Sequence, residues 1–489
     1  MKRKRTAWFA ALCVLTILAG LAGCSGPPEA QIPSQAARSA IPGKTAVPET
    51  RTDGPRGGTR AEAESDTAVI IIGEKSGKRP QMLFGVNGGP VKALPESKNA
   101  IDLTEAYRSA GIDAIRIHDM FQGKNENPLD TAYIYPDETK DPGKASSYRF
   151  EEGDKVFREI LQKGFDVYFR LGNSYSFSPS PKNTENWVKA AVRIVSHYYD
   201  ISKEAGRPIR YVEIWNEPDN GRFWDKPVQQ YFELYDACAK AIKKEYPELK
   251  VGGPAFTPAF ALMEKGRQYT QNFLKFLKKN GTPLDFFSWH MYSNDPQDFD
   301  GAGAYVQELL RKFEYKNTES HLTEYNIELK QPEEIFVRPE SAALTAAFWI
   351  SAQKNGVTQA FYYRGNDPDT DRVGAGLFWA DGRPKPASLA FTLLRKFCDC
   401  AELVEAQTDK AGGLYVLCGE KDTGETCLLL SNPYNVSKNV EIQFPAGIQN
   451  PILQIEKLSP DADAVETETA NANQVKIGGY GVMLITIRG

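Results

Sequence analysis

Two glutamates in this sequence follow strand-like stretches and could do acid–base chemistry together. Glu217 stands in YVEIWNEPDN at 211–220, where an apolar run gives way to Trp-Asn-Glu-Pro, and Glu324 stands in HLTEYN at 321–326. One acid on a loop is ordinarily a solvated charge. Two carboxyl groups held face to face can instead divide the work of a nucleophile and a proton donor. The pair therefore has chemical meaning only if the fold brings the two side chains together.

Alternating patterns between residues 80 and 398 predict a fold that would do so. Eight short apolar stretches are strand-like, and longer amphipathic stretches with helical spacing separate them. Strict alternation over about 320 residues is typical of a closed (β/α)8 TIM barrel rather than an open doubly wound sheet. No Gly-rich phosphate-binding fingerprint follows the first strand, which disfavours a dinucleotide-binding fold. The predicted strands are 81–86, 114–121, 165–172, 210–217, 249–256, 284–293, 321–326 and 358–365.

The pattern changes after residue 398. Short β-rich runs separated by turn residues predict a small antiparallel β-sandwich at 399–489. The run AVIII at 68–72 is also strand-like, so we expect a segment at 67–79 to join that sandwich. The small domain would then be formed mainly by the C-terminus, with the catalytic barrel at 80–398.

The N-terminal sequence predicts export. Residues 1–23 combine a basic start with an apolar stretch too short to span a membrane comfortably, and Leu-Ala-Gly-Cys at its end resembles a bacterial lipobox. Cys24 would then be lipidated and anchor the chain to a bacterial membrane; Ser25 after it favours the outer membrane or cell surface. An ordinary signal peptide or uncleaved anchor is the alternative. Residues 24–66, rich in Pro, Gly, Ala and Ser, predict a flexible tether.

Four cysteines near the C-terminus suit an oxidising compartment. Cys398, Cys400, Cys418 and Cys427 are predicted to form disulfides, and Cys418 and Cys427 could bridge a hairpin. Their spacings are unlike common zinc patterns, so no metal site is predicted. Cys238, within a helical pattern, is expected to be a buried free thiol.

The charge balance argues against nucleic acid as a partner. The formal net charge is −4, whereas phosphate binding usually leaves a basic footprint.

Reactive side chains of a (β/α)8 barrel lie at the C-terminal ends of its strands. The fourth and seventh strands stand on opposite sides of the barrel, so Glu217 and Glu324 should converge across its mouth. Carboxyl groups about 5–5.5 Å apart are what retaining glycoside hydrolysis uses. Asn216 is suited to hold a sugar 2-hydroxyl, and Tyr292 to hydrogen-bond the nucleophile. Strand alternation also turns further side chains into the barrel, namely Arg116, His118, Arg170, Glu213 and Trp215, and puts Ser288 and His290 on the side of Tyr292.

Together these motifs resemble a known family. Asn-Glu-Pro closing the fourth strand, with a second Glu closing the seventh, resembles clan A of the glycoside hydrolases. EIWNEPD, IRIH, SWHMYS and LTEYN, in this strand order, resemble family 39, which includes β-xylosidases, α-L-iduronidases and bacterial exopolysaccharide glycosidases. The resemblance covers the whole barrel, and the trailing β domain fits it. It implies an acid/base, a nucleophile and ligands of the −1 sugar: Glu217, Glu324, and His118, Asn216, His290 and Tyr292 respectively.

These observations predict a retaining glycosidase without a cofactor, acting on an oligo- or polysaccharide outside the cytoplasm. A β-xylosidase-like enzyme and an exopolysaccharide-cleaving enzyme are both compatible with the motifs. Arg116 is a further candidate sugar ligand, although a supporting salt-bridge network with Glu213 would also account for it. Trp379, after the eighth strand, is a candidate stacking surface.

Two other functions stay open at this point. A non-catalytic carbohydrate-binding lipoprotein would keep the barrel, but such a protein would normally have lost one of the two carboxylates. A transglycosylase would use the same glycosyl-enzyme and pass it to a sugar hydroxyl before water arrives.

Overall fold

The computed structural model describes residues 67–90, 102–120, 126–174, 180–330, 332–367, 373–409, 413–444 and 451–488. The predicted signal peptide, Cys24 and the tether lie outside these residues. Within the described ranges, no helix is both long and apolar enough to cross a membrane.

Eight parallel strands close into a barrel, which confirms the predicted fold class. Each strand pairs with the next along the chain, and the last pairs with the first. One further strand, β1 (Ala68–Lys75), precedes them. The barrel strands are β2 (Gly85–Asn87), β3 (Ala114–Arg116), β4 (Asp166–Leu171), β5 (Tyr211–Ile214), β6 (Lys250–Phe256), β7 (Phe286–Tyr292), β8 (Glu319–Asn326) and β9 (Val357–Tyr362).

Helices lie between the barrel strands and follow the last one. Local signals begin several of them: the Asn183 side chain accepts a hydrogen bond from the Asn186 backbone at the start of α4, and Asp295 caps α8 ahead of a proline. The described helices are α1 (Thr104–Ser109), α2 (Thr131–Ile134), α3 (Glu151–Gln162), α4 (Thr184–Glu204), α5 (Val228–Glu245), α6 (Ala259–Leu262), α7 (Glu264–Asn280), α8 (Pro296–Lys312), α9 (Pro339–Lys354) and α10 (Pro386–Phe397), with 3-10 turns at Ala145–Ser147 and Glu333–Val337.

Aromatic rings fill part of the barrel interior. Tyr168, Tyr211, Phe286 and Phe361 form a buried cluster separate from the core between barrel and helices. Glycine makes room for them, because a Cβ on Gly85 would lie 2.3 Å from the Phe361 ring. Side-chain packing thus fills this part of the barrel, as in other barrels of this kind.

The C-terminal residues form a curled sheet with β1, which packs between β10 and β13. The strands are β10 (Glu402–Asp409), β11 (Tyr415–Glu420), β12 (Thr426–Ser431), β13 (Lys438–Gln443), β14 (Ile452–Leu458), β15 (Glu466–Ala470), β16 (Gln474–Ile477) and β17 (Val482–Arg488). The nine described strands follow one another in one continuous sheet, in which the β1–β13 pair is parallel. A hydrogen bond from the Ser431 hydroxyl to the Ala343 carbonyl, 2.6 Å long, joins it to α9.

The sheet register rules out the predicted bridge between Cys418 and Cys427. Cys418 stands opposite Leu428, while Cys427 stands opposite Gly419. Because side chains alternate between the two faces of a sheet, the two thiols point to opposite sides; they belong to different hydrophobic clusters. Cys238 is a buried free thiol, as predicted.

The glycines of the barrel give a test of this packing. A Cβ on Gly252 would lie 2.2 Å from the carbonyl oxygen of Phe286, a backbone atom that cannot move aside. We expect Gly252→Val to lower the free energy of unfolding by about 3 kcal/mol, measured by urea denaturation. Gly301→Ala is the matched control: nothing lies within 4 Å of its Cβ position in α8, and it should be neutral or stabilise by up to about 1 kcal/mol. Equal effects of the two variants would contradict the packing.

Candidate active site

The end of β5 departs from strand alternation and thereby shapes the site. Alternation predicted that Trp215 points into the barrel, but its φ is 80° and that of Glu217 is 48°. The Trp215 ring instead contacts Trp187 of α4 at 5.5 Å between centroids, and its Nε1 donates to the Phe223 carbonyl. Trp215 is therefore part of the layer between barrel and helices, and the next residue, Asn216, takes the interior position.

A buried guanidinium organises the interior. Arg116 Nε donates to Glu213 Oε2 at 2.7 Å, Nη2 to Asn216 Oδ1 at 2.8 Å, and Nη1 to both Asn87 Oδ1 and Glu324 Oε1 at 2.8 Å. Its side chain has no exposure to solvent. Arg116 thus lies where it positions four polar side chains, rather than where it would reach a sugar directly.

Glu324 is held by three groups. Besides Arg116, the Tyr292 hydroxyl donates to Oε2 at 2.6 Å, and His290 Nδ1 lies 3.4 Å from the same oxygen. Burial raises the pKa of Glu324, while His290, Arg116 and the Tyr292 hydrogen bond act against that rise. Arg116 and Tyr292 favour the ionised form because both donate hydrogen bonds to it.

Glu217 has a different environment. His290 Nδ1 lies 2.9 Å from Oε1, and the Asn220 amide donates to Oε2 at 2.8 Å. Burial raises the pKa of Glu217 to about 7 and lowers that of His290 to about 4. A neutral imidazole and an amide stabilise a carboxylate less than Arg116 does, so of the two glutamates Glu217 is the one that keeps a proton near neutral pH.

The two carboxyl groups and His290 meet at the barrel mouth. One oxygen of each glutamate and one His290 nitrogen all lie within 4.8 Å of one another. Such a trio could in principle ligate a cation, but the Arg116 guanidinium on Glu324 already neutralises that carboxylate and would repel a metal ion.

Several polar atoms around this pair have no hydrogen-bond partner among the described residues. They are buried and remain available to a ligand. Three of these atoms belong to residues that the motifs predict as sugar ligands: His118 Nδ1, Asn216 Nδ2 and His290 Nε2. His118 Nε2 itself lies 3.6 Å from Glu324 Oε1. The strand-end positions therefore bring His118, Asn216, His290 and Tyr292 to the same place as the two glutamates.

Trp379 lies in the loop after β9 and is half-buried. The Arg383 guanidinium and the Lys385 ammonium lie 5.1 and 4.9 Å from the centre of its ring. The described contacts of Trp379 belong to its own loop, and none joins it to Glu217 or Glu324. The stacking role stays a prediction.

Sequence reasoning did not foresee some of the contacts that shape the site. Asn87 ends β2 in FGVN, and the strand-end rule applied to the other strands would have found it. Asp219 accepts hydrogen bonds from the backbone N–H and the hydroxyl of Thr257, and burial raises its pKa to about 7. Asp119 accepts a 2.6 Å hydrogen bond from the Tyr363 hydroxyl. No sequence signal indicated these last contacts, because they join loops that follow different strands.

A barrel with two buried carboxyl groups facing each other at its mouth defines the class of protein, a glycoside hydrolase of TIM-barrel fold. Residues 74–363 match the family model of the glycosyl hydrolases family 39, and the chain belongs to that family. This confirms the resemblance inferred from the strand-end motifs.

Two relatives agree with this assignment, and a solved structure agrees with the fold. A β-xylosidase of Geobacillus stearothermophilus is 28% identical over 251 residues, 45% of this chain and 47% of that protein. A β-xylosidase of Caldicellulosiruptor saccharolyticus is 37% identical over 140 residues, 28% and 26% of the respective chains. The chain thus spans about half or less of the length of these relatives. The crystal structure of a glucosidase from Croceicoccus marinus, 21% identical, has the same fold with a TM-score of 0.66, covering 86% of this chain and 99% of that one.

The Arg116 network predicts a pH-dependent stability defect. Arg116→Met leaves buried carboxylates without their cation, so we expect a loss of about 3–5 kcal/mol at pH 7, measured by urea denaturation. Arg116 lowers the pKa of Glu324, so its removal raises that pKa further above the unfolded value. The folded variant then binds an extra proton, and its deficit should shrink as the pH falls from 7 to 5.

The control for this variant is Arg383→Met, which removes an exposed ion pair with Asp381. It should change stability by less than about 1 kcal/mol at either pH. A pH-independent deficit in Arg116→Met would contradict the assigned network.

Proposed function

We propose that this chain hydrolyses a β-glycosidic bond with retention of configuration, through a covalent glycosyl-enzyme. The observation that carries the proposal is the pair of buried carboxyl groups with oxygens within 4.8 Å of each other, in two different environments. Oxygens this close are expected where the carboxyl groups lie roughly 5–5.5 Å apart, as in retaining enzymes, rather than far enough apart to admit the water of an inverting one.

Glu324 is the nucleophile in this mechanism. Its ionised carboxylate, held by Arg116 and Tyr292, attacks the anomeric carbon and forms the glycosyl–enzyme ester. Glu217, whose pKa of about 7 leaves it partly protonated at neutral pH, gives its proton to the glycosidic oxygen as that bond breaks. Glu217 then takes a proton from a water molecule, whose oxygen attacks the anomeric carbon and releases Glu324.

Asn216 has a part in binding. Its Oδ1 accepts from Arg116, which leaves the Nδ2 donor for a ligand. Next to the nucleophile, this donor suits the sugar 2-hydroxyl, a contact that strengthens in the transition state.

The substrate class we propose is a xyloside-like sugar within an oligo- or polysaccharide. The names of the two β-xylosidase relatives support it. An exopolysaccharide remains the second substrate candidate, and a screen of aryl xylosides, glucosides, arabinosides and uronides beside exopolysaccharide fractions would decide between them. We also propose that the protein acts outside the cytoplasm as a lipoprotein, which the lipobox-like sequence before Cys24 supports.

Substitution of the two glutamates tests the mechanism. Glu324→Gln should lose turnover of an activated aryl glycoside by several orders of magnitude, because no nucleophile remains. In Glu217→Ala, external azide should restore turnover and give a β-glycosyl azide, identified by NMR. Glu334→Gln, an exposed glutamate, is the control and should behave as wild type. An α-configured azide would exclude retention.

The pH–rate profile tests the acid. If Glu217 must be protonated, kcat/KM should fall above about pH 7. The Asn220 hydrogen bond lowers the pKa of Glu217, so Asn220→Ala should move this alkaline limb to higher pH. Asn186→Ala on α4 is the control and should leave the limb in place. A limb that stays or moves to lower pH in Asn220→Ala would argue against Glu217 as the titrating acid.

Lipidation is tested in bacterial cells that express the full chain. Cys24→Ser should abolish incorporation of labelled palmitate, because the thioether needs a thiol at that position. Cys13→Ser, within the predicted signal peptide, should still be acylated. Full labelling of Cys24→Ser would refute the anchor.

A further inference from the structure

Asp119 is a buried acid that the mechanism above does not use. It follows β3 with a φ of 53°, and its side chain is about 1% exposed. The Tyr363 hydroxyl donates to Oδ2 at 2.6 Å. The other oxygen, Oδ1, accepts no hydrogen bond from any residue that the structure describes.

His118 connects this oxygen to the catalytic pair. Its Nε2 lies 3.7 Å from Asp119 Oδ1 and 3.6 Å from Glu324 Oε1. Burial, followed by the charge of Arg170, holds the pKa of His118 well below its usual value. The imidazole is therefore neutral and does not serve Asp119 as a counter-ion. The Asp119 charge also raises the pKa of Glu217, which places it near the acid as well.

A second aspartate near Glu217 differs from Asp119 in this respect. Asp219 is also close enough to Glu217 for their charges to interact, but both of its oxygens accept hydrogen bonds from Thr257. A buried carboxylate oxygen without a donor is costly, and such atoms persist at sites where a ligand supplies the donor.

We propose that Asp119 is a specificity-determining residue that accepts a hydrogen bond from the 3- or 4-hydroxyl of the bound sugar through Oδ1. This role rests on the proposed function. With the anomeric carbon against Glu324 and the 2-hydroxyl beside Asn216, the opposite edge of the ring is left for His118 and Asp119. A carboxylate only accepts, so the hydroxyl it binds must be free of any substituent.

The test compares an aryl β-xyloside, or the aryl glycoside that wild type cleaves fastest, with its 3-deoxy and 4-deoxy analogues. For wild type, kcat/KM should fall about 10- to 100-fold for one analogue, the range expected for a hydrogen bond to a charged group. Asp119→Ala should cleave that analogue and the parent at similar rates, because the acceptor is gone. Asp219→Asn, the matched control, should keep the wild-type ratio.

If Asp119→Ala keeps the wild-type ratio of kcat/KM between the parent glycoside and the deoxy analogue, the role of Asp119 is overturned, while the glycosidase activity stays established. A wild-type protein inactive on every aryl glycoside and polysaccharide would overturn the proposed function and this role with it. If Asp119→Ala does not fold, Asp119→Asn is measured instead, because it keeps the shape of the side chain. Its ratio of kcat/KM between the parent glycoside and the deoxy analogue should be at least several-fold smaller than that of wild type.

A second, independent inference concerns two thiols at the junction of barrel and sheet. Cys400 follows α10, and Cys427 lies on β12 directly opposite Gly419. A Cβ on Gly419 would lie 2.9 Å from both the Cβ and the Sγ of Cys400. Cβ atoms of directly opposed residues lie about 4.5–5.5 Å apart on one face, so Cys400 occupies the space beside Cys427.

We infer that Cys400 and Cys427 form a disulfide in an oxidising environment. Both residues are buried, and they belong to the same hydrophobic cluster. The interaction between the thiols raises the pKa of Cys400 and lowers that of Cys427. In exchange with oxidised glutathione, each thiol loses its proton, one sulfur–sulfur bond forms in the protein, and glutathione disulfide is reduced to two thiols.

Peptide mapping of the full chain, treated with oxidised glutathione and then alkylated, tests this pairing. Trypsin releases 397–410 with Cys398 and Cys400, 411–421 with Cys418, and 422–438 with Cys427. A cross-link between 397–410 and 422–438 is expected, and it should persist in Cys398→Ser but vanish in Cys400→Ser. A cross-link to 411–421 instead, or full alkylation of all four cysteines, would overturn the inference.

Discussion

The guanidinium of Arg116 is the group on which the geometry of the barrel mouth depends. From β3 it donates to side chains of β2, of β8 and of the end of β5, so one residue ties together strands on different sides of the barrel. A buried charge needs all of its partners, because an unfilled donor or acceptor is costly where water is absent. The contacts that satisfy Arg116 therefore also fix Glu324 and orient Asn216.

This constraint also separates the two glutamates chemically. Both are buried, and burial raises the pKa of each. Arg116 and Tyr292 donate to Glu324, whereas Glu217 has a neutral imidazole and an amide beside it. Two like residues thus acquire unlike protonation states from their neighbours, as an acid and a nucleophile require. The ion pair of Glu324 with Arg116 therefore distinguishes the two glutamates, which are the same residue type.

Much of the architecture was predictable because the spacing of apolar residues along the chain follows directly from which side chains are buried. The strand predicted at 249–256 is β6 at Lys250–Phe256, and that at 284–293 contains β7 at Phe286–Tyr292. Alternation failed at Trp215, where a positive φ ends the two-residue period and turns the ring to α4. It failed again for Cys418 and Cys427, because the register of β11 against β12 places them on opposite faces. Register is a property of a strand pair, which neither strand specifies alone.

By itself, the sequence determined the barrel, the family and the positions of Glu217 and Glu324, since apolar periodicity and strand-end motifs are local along the chain. Only the tertiary structure decided which side chains meet: Asp119 with Tyr363, Asp219 with Thr257, and Cys400 with Cys427. These pairs come from separate loops and strands. Their contacts exist only after closure of the barrel and docking of the sheet bring those segments together, and no local pattern records that arrangement.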